Sequence, residues 1–291
     1  VIYLEMYQYI CSASLVNNTS LDLTPYVLTA QHCLDSEAEV GEHNNFTFYF
    51  NHQSSSCGGS SGYYGQNETG SYLRAEDTYT DFALLEMTDD PPNSFDAFYA
   101  GWSRYTSAPT ISVGIHHPGG QPKKINYDYN QTAGSSGSDW TISWDNGGTT
   151  GGSSGSPAFD SNLRVIGQLY GGNVDCGGTD WYGKFSSSWS GSSSSSRLKD
   201  WLDPGNTSVY TLDGTYDGSE AVSGCTDASA CNYDPDATND DGSCEYAQGS
   251  CNCNGNPAGN YCDCNYNVDD ECGVCDGDGS GCSGSVTLSF S

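Results

Sequence analysis

The chain has 291 residues and a formal net charge of −29, with 37 acidic side chains against eight lysines and arginines. That charge excludes nucleic acid as a natural partner, since phosphates would be repelled. No apolar run is long enough to span a membrane as a helix. The fourteen cysteines point to an oxidising compartment, so the expected location is secreted, extracellular or cell-surface associated.

The first residue is Val1, not methionine, so the sequence reads as a mature or truncated piece whose leader is missing. Gly, Ser, Thr and Tyr are abundant and amphipathic helical patterns are scarce, which favours an all-β class. Taken in order, residues 1–10, 11–16 and 26–29 read as strands, the third running into His32. Residues 46–50 form a strong strand pattern, 54–70 a Gly/Ser-rich loop holding Cys57, and 73–75 and 82–87 two further strands. The chain crosses over from 91 to 110. A second strand series follows at 111–116, 125–129, 140–144, 158–159, 164–170 and 181–185. Residues 197–202, just ahead of Pro204, carry apolar Leu198, Trp201 and Leu202 on one face and predict a helix. Short strands with Gly, Pro and Asn turns fit closed antiparallel barrels, which leave no open edge.

Three stretches carry chemistry. Gly152-Ser153-Ser154-Gly155-Ser156-Pro157 is a tight glycine-bearing loop able to present a serine hydroxyl. Its backbone N–H groups at Gly152 and Ser154 can converge on an oxyanion. Taken alone, a Gly/Ser run is as often plain linker. Leu28-Thr29-Ala30-Gln31-His32-Cys33 places a histidine at the end of an apolar strand, and Asp81 opens the apolar strand 82–87. The order His, Asp, Ser is that of chymotrypsin-type proteases, not of subtilisins or α/β-hydrolases. Ser154 is therefore expected as nucleophile, His32 as general base and then acid, and Asp81 as the group that fixes the imidazole tautomer. Asp22 and Asp35 are rival aspartates, but neither opens an apolar strand. Ser153 and Ser156 are rival nucleophiles that lack the flanking glycines of Ser154. His43, His52, His116 and His117 lie outside any Ala-x-His-Cys context and read as structural. Cys11 and Cys33 are expected to pair and pin the His32 turn.

With these segments go Ser14-Leu15-Val16-Asn17-Asn18, Ile115-His116-His117-Pro118, Val165-Ile166-Gly167-Gln168-Leu169-Tyr170-Gly171-Gly172, Asp180-Trp181-Tyr182-Gly183-Lys184-Phe185 and Arg197-Leu198-Lys199-Asp200-Trp201-Leu202-Asp203-Pro204. As a set they resemble the bacterial lysyl endopeptidases of the trypsin-like superfamily, over roughly residues 10–204. The resemblance implies two six-stranded antiparallel β-barrels with a C-terminal helix, and an active site in the cleft between the barrels. It also implies catalysis without a cofactor on polypeptide substrates. The expected domains are a protease domain over 1–204 (barrel one about 1–105, barrel two about 106–204), a linker over 205–224, and a Cys-rich acidic accessory region over 225–291. A monomer is expected.

The resemblance also assigns specificity. In trypsin the pocket aspartate lies six residues before the nucleophile, where this chain has Gly148. Lysyl endopeptidases place it just before a Tyr-Gly-basic strand, which here is Asp180; Asp175 is a nearby rival. Tyr170 and Gly171 fall on the strand that lines the substrate. Three features depart from the family. Its cysteine-bearing N-terminal segment, which would supply partners for Cys57 and Cys176, has no counterpart. Tyr170 stands where the family has histidine. No tryptophan matches the one beside the family's catalytic histidine. Ser153 also precedes the nucleophile where many vertebrate-type proteases have an aspartate that pairs with a new N-terminus, so Val1-Ile2 is not read as an activation terminus.

The tail holds ten cysteines between Cys225 and Cys282 and few aliphatics, so it needs bridges or metal to fold. Residues 224–244 and 271–279 resemble short Cys-rich modules of secreted marine bacterial proteins. Asp234, Asp236, Asp240 and Asp241 are candidate Ca²⁺ ligands, or solvated surface acids. Cys251-x-Cys253 and Cys272-x-x-Cys275 suit zinc or disulfides, and the compartment favours disulfides. Three functions compete: an endopeptidase cutting after Lys or Arg, a glutamyl endopeptidase of the same fold, and a catalytically inactive binding or adhesion protein.

Overall fold

The computed structural model describes residues 2–6, 9–34, 45–56, 59, 61–130, 132–134, 137–173, 176–216, 223–225, 227–234, 239–240, 242–247, 249–278 and 280. The chain divides into two units, Val1–Gly218 and Ser219–Ser291.

The first unit is mostly β. Its N-terminal part contributes β1 (Ile2–Met6), β2 (Tyr9–Leu15), β3 (Tyr26–Ala30), β4 (Thr47–Tyr49), β5 (Asn67–Thr69), β6 (Ser71–Asp77) and β7 (Phe82–Met87). They form one curled antiparallel sheet in the order β5-β4-β1-β2-β3-β7-β6. Strand β3, Tyr-Val-Leu-Thr-Ala, is buried at every position. Covered on both faces, it is a continuous apolar run without alternation, and its end delivers His32. The chain crosses over through β8 (Phe98–Tyr99) and β9 (Trp102–Ser103). It then lays down β10 (Ser112–His116), β11 (Lys124–Asp128), β12 (Ala133–Gly134), β13 (Asp139–Ser143), β14 (Pro157–Phe159), β15 (Val165–Gly172) and β16 (Thr179–Lys184). The second sheet runs β11-β10-β14-β15-β16-β13-β12, with β9 pairing β15.

The expected pair of six-stranded barrels is thus a seven-stranded and a nine-stranded curled sheet among the described residues. The crossover strand β9 already belongs to the second sheet. A buried cluster joins the two: Leu28, Phe82 and Leu84 from the first sheet pack with Phe159 and Val165 from the second, and with Trp102, Phe185 and Trp189.

Two expectations are corrected. The helix over 197–202 is only one turn, α2 (Lys199–Leu202), and another single turn, α1 (Phe185–Ser188), follows β16. Residues 194–196 make a 3₁₀ turn closed by a Ser193–Ser196 capping box, and Arg197 is extended at φ −155°, ψ 151°. Serine side chains bonding back to nearby backbone compete with helix formation. The stretch after Pro204, expected as linker, is held to the first unit as far as Tyr216. Here β17 (Thr211–Leu212) pairs β9 and β18 (Thr215–Tyr216) pairs β8. Arg104 donates to the carbonyls of Ser208 and Val209, and Arg164 pairs with Asp213 at 2.8 Å.

In the second unit β19 (Ser223–Gly224) and β20 (Asn239–Asp240) form a parallel pair. Disulfides join Cys225–Cys244, Cys231–Cys253, Cys251–Cys264 and Cys262–Cys275, and Cys272 is also bridged. Both cysteine pairs considered as zinc ligands are therefore consumed by disulfides. Among the described residues no helix is long and apolar enough to cross a membrane.

Candidate active site

His32 sits in a 3₁₀ turn, Gln31–Cys33, at the end of β3. Cys33 in the same turn is bridged to Cys11 on β2. Closing a loop of 22 residues contributes about 3 kcal/mol in the chain-entropy account. Asp81 lies where the chain enters β7, with a left-handed φ of 55°. Its carboxylate grips the histidine twice: Oδ1 accepts the His32 backbone N–H at 2.9 Å, and Oδ2 lies 2.7 Å from Nδ1. With an ionised acceptor at Nδ1 the ring proton belongs there, which leaves Nε2 as the basic nitrogen. The Asp81 side chain is 5% exposed and that of His32 41%, so the carboxylate is shielded while the ring faces solvent. The backbone before Asp81 is held from β15 and α1: Gln168 Nε2 donates to the Thr80 carbonyl at 2.8 Å and Ser188 Oγ to Thr80 Oγ1 at 2.9 Å.

The Ser154 loop packs against the same strand end. Gly155 has φ 77°, and a Cβ there would lie 2.1 Å from Thr29 Oγ1 and 2.7 Å from the Ala30 nitrogen. Only glycine fits, and this close approach sets Ser154 beside the His32 turn. Ser12 on β2 ties the loop further: its N–H donates to the Ser154 carbonyl at 2.8 Å and its hydroxyl to the Gly152 carbonyl at 2.9 Å. Both carbonyls thus point away, and among the described residues the N–H groups of Gly152 and Ser154 have no protein acceptor. They remain available to a developing oxyanion. Of the three serines, Ser153 and Ser156 are fully buried and Ser154 is partly exposed. No hydrogen bond joins Ser154 Oγ to His32 among the described residues.

Tyr170, on β15, is half exposed and its ring lies edge-on to His32 with centroids 6.4 Å apart. Gly171 follows it with open space where a side chain would be. Asp180, on β16, is fully buried. Its carboxylate accepts from Trp144 Nε1 at 2.5 Å and from Thr149 Oγ1 at 2.9 Å. Burial pushes its carboxyl above the usual carboxylate range, while the bonds from Trp144 and Thr149 pull it down. Among the described residues no cation answers this buried acid.

Of the rivals, Asp22 is engaged by Asn18 and Thr24 in a local turn. Asp35, Asp175, His43 and Cys57 lie outside the described residues. Cys176 is an exposed free thiol. Of the candidate calcium ligands, Asp236 and Asp241 are likewise outside, Asp240 is described only as strand backbone, and Asp234 is half buried. Trp144, Thr149, Ser12 and Gln168 were not singled out from the sequence. Each acts across 31 to 140 residues of chain, beyond the reach of a local motif.

Residues 1–183 match the family described as lysyl endopeptidase, C-terminal domain. A curated lysyl endopeptidase of Pseudomonas aeruginosa is 30% identical over 201 residues, covering 62% of this chain and 42% of the relative. The chain therefore spans less than half the length of that relative. Among solved structures, a Glu endopeptidase aligns at 15% identity and TM-score 0.43, over 63% of this chain and 83% of that one. A thermostable serine protease, AL20, from an extremophilic microorganism aligns at 16% and TM-score 0.43, over 63% and 88%.

Proposed function

Because this chain belongs to the lysyl endopeptidase C-terminal-domain family, we propose that it is a serine endopeptidase that cuts polypeptides on the carboxyl side of lysine. Ser154 Oγ attacks the scissile carbonyl and His32 Nε2 takes its proton. The oxyanion is received by the N–H groups of Gly152 and Ser154. His32 then protonates the leaving amine, and water releases the acyl group by the reverse steps. Asp81 holds the ring in the tautomer this requires and stabilises the imidazolium. The chemistry asks for no cofactor. Disulfides in both units support an extracellular setting.

The observation that carries the specificity is the buried Asp180 carboxylate, held by Trp144 and Thr149 with no cation against it among the described residues. A lysine ammonium brought to it would be paired on arrival, whereas a glutamate side chain would meet like charge. Arginine remains the nearest competitor to lysine.

A positional peptide library tests this. Cleavage confined to peptides with lysine, or lysine and arginine, before the cut is expected; cleavage after glutamate would overturn it. A fluorophosphonate should label Ser154, and an intact folded chain that fails to label would be an inactive binding protein.

A further inference from the structure

Second-sheet strands β10 and β11 carry polar side chains into the space under the Ser154 loop. His116 and Asn126 are each 1% exposed and Ser153 is fully buried. Three polar groups in a core are costly unless each is bonded. Their bonds form one directed chain. Thr150 N–H donates to Ser153 Oγ at 3.1 Å, and Ser153 Oγ lies 2.7 Å from His116 Nδ1. His116 Nε2 lies 3.1 Å from Asn126 Oδ1, which also accepts Gly148 N–H at 3.1 Å.

Hydrogen placement follows from the ends. Asn126 Oδ1 can only accept, so His116 Nε2 carries the proton. His116 Nδ1 then accepts, and the Ser153 hydroxyl donates to it. Every member is neutral, in keeping with burial pushing His116 down to about 4. Both ends of the chain finish on backbone N–H groups of the loop itself, Gly148 on one side and Thr150 on the other. The approach is built for this: Gly147 has φ 89°, and a Cβ there would sit 2.1 Å from Asn126 Oδ1.

We propose that Ser153, His116 and Asn126 are positioning residues that hold the Gly148–Ser154 loop, and so the oxyanion donors of Gly152 and Ser154, through one buried uncharged chain of hydrogen bonds. This rests on the serine endopeptidase reading above. The donors must be fixed before the oxyanion forms, because their worth lies in needing no reorganisation at that moment. Substrate in its ground state depends on them little, so loosening the loop acts on kcat and leaves KM nearly unchanged.

One feature of Asn126 makes the idea testable. Its Nδ2 is buried and has no hydrogen-bond partner among the described residues, so only its oxygen is in use there. Asn126→Leu removes it at similar volume. Ser153→Ala breaks the chain at its other end, and Ser153→Thr keeps the hydroxyl there.

The experiment measures kcat, KM and thermal stability for the three variants in the full chain. A parent that neither cleaves peptides nor labels with fluorophosphonate would sink the endopeptidase reading, which is a separate failure. Given an active parent, Ser153→Ala and Asn126→Leu should lower kcat roughly ten- to hundredfold, with KM within about threefold. Ser153→Thr, which keeps the hydroxyl, should retain a kcat closer to the parent than Ser153→Ala does. Ser153→Ala or Asn126→Leu with parental kcat overturns the proposal. If Asn126→Leu fails to fold, Ser153→Ala decides by the same criterion, and if Ser153→Ala fails to fold, Asn126→Leu does.

Discussion

Replacing Asp180 by asparagine changes charge and almost nothing else. An asparagine oxygen in the place of Asp180 Oδ2 can still accept from both Trp144 and Thr149, so the buried site keeps its shape. What disappears is the anion that a substrate ammonium would meet. Leaving one partner of a buried ion pair uncompensated costs roughly 3–5 kcal/mol. At about 1.4 kcal/mol per decade, kcat/KM on lysine peptides should fall by roughly a hundred- to several-thousand-fold. The Ser154 machinery stands on other supports, namely Asp81, Ser12 and Gly155. Labelling by a small uncharged fluorophosphonate should therefore remain near the parental rate. The assay is a pair of measurements on one preparation, lysine-peptide hydrolysis and uncharged labelling. A variant that cleaves lysine peptides as well as the parent refutes Asp180 as the pocket charge. One that loses both activities together shows that Asp180 holds the fold of the loop instead.

Ser154→Ala and His32→Ala should each abolish nearly all turnover, and the double variant should lose little more, because the residues act as a unit; additive losses would argue against the triad. Burial pushes His117 down to about 3 and His116 to about 4, below an unfolded value of about 6.5. Below that pH the unfolded chain binds protons that the folded chain refuses, so the stability present above it is lost as pH falls. By pH 5 each histidine should account for about 2 kcal/mol, and melting curves with the same Tm at pH 7 and pH 5 would contradict this. A chain ending at Gly218 should keep activity on small chromogenic peptides, whereas one ending at Pro204 should lose thermal stability with β17, β18 and the partners of Arg104; equal Tm values for the two would show that the strap does nothing.

The parts of the candidate site legible in the sequence are those in which one short stretch holds both the proposed reacting group and its local frame. His32 follows a buried apolar strand, Asp81 opens another, and Ser154 has glycines on the sides where the turn needs them. The Cys11–Cys33 bridge was legible for the same reason, both cysteines lying beside marked strands. Trp144, Thr149 and Asn126 were not, since each matters through a partner 22 to 36 residues along the chain. His116 stands in a segment that carries the family resemblance and reads as structural, but its bonds to Ser153 and Asn126 were not foreseen. Composition misled after Pro204, where Gly, Asp and Thr suggest linker. Strands two residues long carry no periodic signal, and Arg104 binds backbone carbonyls, which any sequence supplies. The helix expected over 197–202 is cut short at its start because the serine run 192–196 ahead of it has hydroxyls that compete for the backbone. Connectivity in the tail could not be deduced from spacing, because ten cysteines admit many pairings.

The tail bridges overlap like roof tiles: Cys231 comes before Cys244, Cys251 before Cys253, and Cys262 before Cys264. Every peptide bond from Cys225 to Cys275 therefore lies inside at least one covalent ring. A single nick anywhere in that span leaves its two fragments joined through sulfur, and no one cut can shed the end of the chain. The same span holds no lysine or arginine, so an enzyme of the specificity proposed here finds nothing in it to cut. Foreign proteases of other specificity would fray this region without severing it, and a mass measurement would register the damage as added water, with no lost fragment until the bridges are reduced.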